Sequence, residues 1–271
     1  MIGAGATFSV ELGSTQGGTD IGVLDAGSAL SYVARDVRAG TVYARVRARL
    51  ADVTSQPSNE VTASAFSLRQ FIEALYFGTG FLGPADGNRG GCAVNGRLRG
   101  FSRGQGVAVL LGSTIPQERI PAIRSLLDSA AIATRGATSV TIVPTNDVDP
   151  QPRTGQVSTS LVDVLPCNTT ATGCAILTPN SGATTSSRAF QLSRASNLTY
   201  AHELGHAVLG LCHVEATRIG GGDKSLMSSS GLPLDKVTLS PFDISAIQAV
   251  YDAGLGPGAT RDDLARAGLI D

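Results

Sequence analysis

Between residues 41 and 49 the chain reads Thr-Val-Tyr-Ala-Arg-Val-Arg-Ala-Arg, so Val42, Ala44, Val46 and Ala48 alternate with Tyr43 and three arginines. A period of two places the first set on one face of a strand and the second on the other, which predicts one buried and one wet face. Shorter runs bounded by Gly, Thr, Ser and Asp predict further strands over residues 7–12, 30–37 and 61–63. Residues 1–64 are therefore expected to form a small all-β region.

From Phe66 the period changes. Leu68, Phe71, Ile72, Leu75 and Tyr76 recur at helical spacing and open a second region. Residues 65–105 read as a connecting segment, Gly-rich from Gly78 onward and without a clear period. Within residues 106–254 the order is strand (107–111), helix with Ile120, Ile123, Leu127 and Ala130 on one face, then strand (139–143). Pro121 requires that helix to begin close to it or to bend there, and strand-helix-strand implies a right-handed parallel crossover. Further strands are expected over 155–165, 174–177 and 188–192, and helices over 196–210 and 241–253. The last helix carries start signals in Ser240 (N-cap), Pro241 (N1) and Asp243 (N3), and a stop in Gly254. Residues 255–271 read as a tail with a Gly-Pro-Gly hinge and one short helix begun by Thr260. The fold class expected is α+β.

Composition narrows the function classes. A net charge of −1 with 16% charged residues offers no surface for a polyanion, so nucleic acid is not an expected partner. No stretch approaches the roughly 20 apolar residues of a membrane helix, and no signal peptide is visible at Met1-Ile2-Gly3-Ala4-Gly5. Either the protein is not exported or the N-terminus here is not the original one. Of the four cysteines, Cys167 and Cys174 bracket a short turn and are candidates for a local disulfide. Cys92 and Cys212 have no C-x-x-C spacing that would make a zinc knuckle.

All three histidines of the chain fall in His202-Glu203-Leu204-Gly205-His206-Ala207-Val208-Leu209-Gly210-Leu211-Cys212-His213. Residues four apart lie one above the other on a helix, so His202 and His206 can offer ring nitrogens to one cation, with Glu203 beside it as a general base. Gly210 can make the turn that ends the helix, and His213 can then swing back as a third ligand. Three protein ligands leave a coordination position for water, the mark of a catalytic rather than a closed structural zinc site.

This segment resembles the metzincin clan of zinc peptidases, its matrixin-like members most, whose pattern is H-E-x-x-H-x-x-G-x-x-H followed by a methionine turn. Met227, in Ser225-Leu226-Met227-Ser228, stands where the resemblance places that turn, and Leu239 to Tyr251 is similar to the matrixin closing helix. One departure stands out: three residues, not two, separate His206 from Gly210, so Gly210 and His213 each fall one position late. A longer last turn or a π-bulge would absorb the shift; otherwise Glu215 or Asp223 would have to complete the site.

The resemblance implies a twisted mixed sheet with an active-site helix and a C-terminal helix over 106–254, zinc as cofactor, and protein or peptide substrates. The substrate would lie along an edge strand, here 188–192, beside a pocket wall of Ser229, Ser230, Gly231, Leu232 and Pro233. The substrate-binding residues themselves stay unknown at this stage. Calcium enters by analogy only, with Asp147, Asp149 and Asp163 as the available acids. A zinc-binding propeptide thiol is not visible; Cys92 is better read as a disulfide partner or buried thiol. Residues 40–48 and 55–61 look like the last strands of a fibronectin type III domain, so 1–64 reads as a partial β-sandwich whose first strands would precede Met1. Such modules, a disulfide and a peptidase suit a secreted protein. Two other readings remain: an adhesion or glycan-binding protein with an inactive zinc domain, and a zinc hydrolase of a non-peptide amide.

Overall fold

The structure is a computed structural model. It describes residues 5–32, 34, 37, 40–80, 82–83, 95–167, 171–180, 183–215, 224–228 and 232–271. The chain divides into two compact units, Met1–Ser67 and Leu68–Asp271. Together they make a mixed α+β protein with two sheets and five α-helices among the described residues.

The first unit is one antiparallel sheet of β1 (Thr7–Gly13), β2 (Gly22–Gly27), β3 (Gly40–Leu50), β4 (Val53–Thr54) and β5 (Val61–Ala65). β1 lies between β2 and β3, and β3 also pairs with β4 and β5. The strand expected over 30–37 is not one: the described residues there are irregular, Leu30 is 89% exposed, and 33, 35 and 36 lie outside the described residues. Its place is taken by β2, which sets Leu24 opposite Val10; cross-strand pairing decided what local alternation did not.

The face of β3 expected to be wet is only partly so. Glu11, opposite Arg45 in the register, accepts hydrogen bonds from Nε of both Arg45 and Arg47 at 2.5 Å each. Burial works to raise the Glu11 pKa, but those two bonds dominate and lower it. The three side chains cover one another, while Val46 on the opposite face is 39% exposed.

The second unit is built on a five-stranded sheet in the order β7-β6-β8-β10-β9. These strands are β6 (Gly106–Leu111), β7 (Ser139–Pro144), β8 (Gln156–Leu161), β9 (Gly173–Asn180) and β10 (Ala183–Gln191). β7, β6, β8 and β10 run parallel to one another, and β9 pairs antiparallel with β10 at the edge. The sheet is therefore mixed. β6 and β7 are joined through α2 (Ile120–Ala133), which begins one residue before Pro121 instead of bending there, since Pro fits the first helical turn where no N–H is needed.

α1 (Leu68–Phe77) packs against α4 (Pro241–Asp252), and α3 (Asn197–Leu209) packs against α2, β9 and β10. Ser240 and Asp243 form a reciprocal capping box at the start of α4, a feature worth about 0.5–2 kcal/mol. The tail is not loose. α5 (Arg261–Arg266) is capped by Thr260 and Asp263, its Leu264 is fully buried, and Leu98 N donates to Ala259 O at 2.8 Å. Arg261 pairs with Glu73 of α1, and Arg69 with Asp271 at 3.2 Å. Among the described residues no helix is long and apolar enough to cross a membrane.

Candidate metal centre

α3 starts at Ser196, whose hydroxyl accepts from Thr199 N, and stays α-helical through Leu209. Gly210 then adopts the left-handed conformation (φ 67°, ψ 24°), with its N–H donating to His206 O at 2.9 Å and Leu211 N turned toward Gly205 O. The extra residue ahead of Gly210 is thus absorbed as one more helical residue, with no π-bulge. A side chain at 210 has no room: a Cβ would lie 2.4 Å from both C and Cβ of Arg99 and 2.6 Å from Gly100 N. Only glycine reconciles that close backbone approach with a positive φ.

Beyond Gly210 the chain is held on both sides. Cys212 N donates to Leu75 O at 2.7 Å, Val214 N to Met227 O at 3.0 Å, and Glu215 N to Leu82 O at 2.7 Å. Leu75 lies in the last turn of α1, where a carbonyl has no intrahelical donor, so Cys212 satisfies an orphan acceptor. Cys212 is disulfide-bonded, as are Cys167 and Cys174 with each other; Cys92 lies outside the described residues.

These constraints bring His213 back to the helix. Its Nε2 lies 2.9 Å from His202 Nε2 and 3.0 Å from His206 Nε2, and the latter two are 3.2 Å apart. His202 Nδ1 lies 2.8 Å from Leu226 O and His206 Nδ1 2.6 Å from Leu211 O. A carbonyl only accepts, so both Nδ1 atoms carry the proton. In the neutral ring, Nε2 is then a bare lone pair. Lone pairs aimed at one point repel unless a cation sits between them. Ligand bonds of about 2.05 Å in tetrahedral geometry put nitrogens about 3.3 Å apart, close to the separations here. The triad could hold a metal ion, and it is the one such cluster among the described residues. His206 is buried, while His202 and His213 are half-buried.

Electrostatics agree with neutral rings. Burial, then the neighbouring His213 ring, push the His202 pKa down to about 4 against a small opposing effect of its bond to Leu226. Burial and the two other rings push His206 well below the usual range. Glu203 is 7% exposed, and burial pushes its pKa up to about 8; a cation at the adjacent nitrogens works in the opposite direction.

Two glycines fit around this core. A Cβ at Gly173, the first residue of β9, would lie 2.7 Å from Glu203 Cγ and 2.6 Å from Thr199 Cγ2. A Cβ at Gly205 would lie 2.7 Å from Sδ of Met227, a fully buried side chain in the turn 225–228. Gly173 was missed in the sequence, although a glycine opening a strand signals a close approach of backbone to another group.

Other expectations fare differently. β10, which contains 188–191, is hydrogen-bonded to β8 on one side and β9 on the other, so it offers no edge for a substrate; among the described residues the edge on that side of the sheet is β9. Strand order is set by long-range pairing and cannot be read from a strand's own residues. Ser229, Ser230, Gly231 and Asp223 lie outside the described residues. Among the described residues Asp147, Asp149 and Asp163 form no cluster that could hold a cation. The Asp149 carboxylate is taken by Arg188, Ser160 and Gln151, whose hydrogen bonds outweigh burial and lower its pKa. No protein-family model matches this chain, and no curated protein matches it significantly.

Proposed function

We propose that the second unit is a zinc hydrolase of the metzincin type. Its particular activity, on this reading, is that of an endopeptidase. The observation that carries the proposal is the convergence of the Nε2 atoms of His202, His206 and His213 within 3.2 Å beside the buried carboxyl of Glu203. Imidazole nitrogens in a set of three suit zinc better than calcium or magnesium, which prefer oxygen.

His202, His206 and His213 would hold the ion, the first two oriented by Leu226 O and Leu211 O. When bound, zinc supplies Lewis acidity, lowering the pKa of a coordinated water and polarising a carbonyl. Glu203 takes the proton of the attacking water and hands it to the departing amine, so no covalent intermediate forms. Gly173 lets β9 lie against Glu203, and the free edge of β9 favours an extended chain as substrate, since peptides add to sheet edges through main-chain bonds. That favours a peptide over a small amide. Met227, buried against Gly205, takes the role of the methionine turn. The first unit acts as a spacer related to a fibronectin type III module, and the disulfides fit an oxidising, extracellular setting.

Changing Glu203 to Ala tests the reading. The variant should retain stoichiometric zinc while cleavage of casein or gelatin falls by about 10²–10⁴-fold, the usual worth of a general base. Undiminished cleavage removes Glu203 from the mechanism. A wild-type chain that binds zinc but cleaves no peptide library favours the adhesion or non-peptide amide reading.

A further inference from the structure

We propose that Asp243 is a positioning residue of the metal centre, fixing two of the three histidines through the turn at 225–227. The inference rests on the histidines being a cation site. Asp243 belongs to α4, is fully buried, and as the third residue of a helix needs only a bond to Ser240 N to serve as half of a capping box. It does more than that. Oδ1 accepts from Ser225 Oγ at 2.6 Å, and Oδ2 accepts from Leu226 N at 2.9 Å as well as from Ser240 N at 2.8 Å. Ser225 Oγ in turn accepts from Met227 N at 3.0 Å. One carboxylate thus ties down three consecutive residues of the turn.

The turn passes this order to the histidines through its carbonyls. Leu226 O accepts from His202 Nδ1, setting that ring's tautomer and tilt. Met227 O accepts from Val214 N, the residue after His213, and a bridge joins Val214 to Ser228. His206 takes its partner from Leu211 O, just past the Gly210 cap of α3, and is independent of Asp243. Removing the carboxylate therefore loosens two ligands of three, which weakens binding without abolishing it. Groups behind metal ligands are worth about 10–100-fold in affinity.

An internal control exists. Asp263 sits in the same capping box at α5, bonded to Thr260 and Arg266, with no hydrogen bond to the turn. The full chain is stripped of metal, and zinc affinity is read by competition with a chromophoric chelator, with the visible spectrum of the cobalt(II) form as a geometric signature. Asp243→Ala is expected to bind zinc about 10–100-fold more weakly with an altered cobalt spectrum. Asp243→Asn, which keeps one acceptor for both backbone N–H groups, should recover part of the loss. Ser225→Ala leaves those two bonds intact and carries the test if Asp243→Ala does not fold. Asp263→Asn should bind as the wild type does. Zinc affinity and cobalt spectrum unchanged in folded Asp243→Asn and Ser225→Ala would overturn the inference while leaving the cation site standing. A wild-type chain that takes up neither metal would overturn both.

Discussion

Replacing Gly210 with Ala strikes at the turn that carries His213 back beside His202 and His206. The left-handed backbone at φ 67° costs an L-residue about 1–2 kcal/mol. The new methyl would also stand 2.4 Å from Arg99 C. That neighbour is backbone and cannot swing aside: Leu98 N bonds Ala259 O, and Gly100 exchanges bonds with Thr184 through N (3.1 Å) and O (2.8 Å). Overpacking of this kind adds about 1–3 kcal/mol, so the loss should reach about 2–5 kcal/mol. Gly136 is the control. Its φ is 69° with nothing within 4 Å of a Cβ, so Gly136→Ala should lose only the backbone component. The assay is urea unfolding of the metal-free chain followed by helical circular dichroism, which reports the second unit because the five α-helices among the described residues lie there. Equal destabilisation by the two substitutions would refute the claim that the segment 97–100 buttresses the turn.

Two further perturbations test the packing of Glu203 and the acid stability of the fold. Gly173→Ala should leave zinc affinity near wild type but cut kcat by about 10-fold or more, because the added methyl displaces the Glu203 side chain rather than a histidine; parallel loss of zinc would contradict that separation. Asp149 has a folded-state pKa below its unfolded value, so its contribution to stability is complete above the unfolded Asp range of about 3.9 and is lost as pH falls through the lower folded value. Asp149→Asn should therefore flatten the acid limb of stability against pH, and an unchanged limb in urea titrations would assign it to other carboxylates.

Much of the fold was legible because periodicity reports burial directly. Phe71, Ile72 and Leu75 mark α1, Ile123 and Leu127 mark α2, and each is buried as its spacing requires. Ser240, Pro241 and Asp243 announce the start of α4 through local chemistry. The histidine triad was visible for the same reason, since ligand type and helical spacing are properties of the residues themselves. What escaped depends on partners distant in sequence. β2 owes its existence to pairing with β1, β9 became the edge because of how the chain returned, and Asp243 looked like a helix cap since nothing local reveals its bonds to Ser225 and Leu226. The carbonyls of Leu75, Leu211 and Met227 are still less readable, because every residue type presents the same group.

The ion pairs that join the first and last helical segments of the second unit, Glu73 with Arg261 and Arg69 with Asp271, bring residues 68 and 271 into one neighbourhood. A rearranged chain in which a brief linker carries 271 into 68, with new ends opened at an exposed loop, would preserve every internal contact in a different order. Permuted in this way, the second unit is expected to keep its strand order, because the two ion pairs already hold its first and last helical segments side by side.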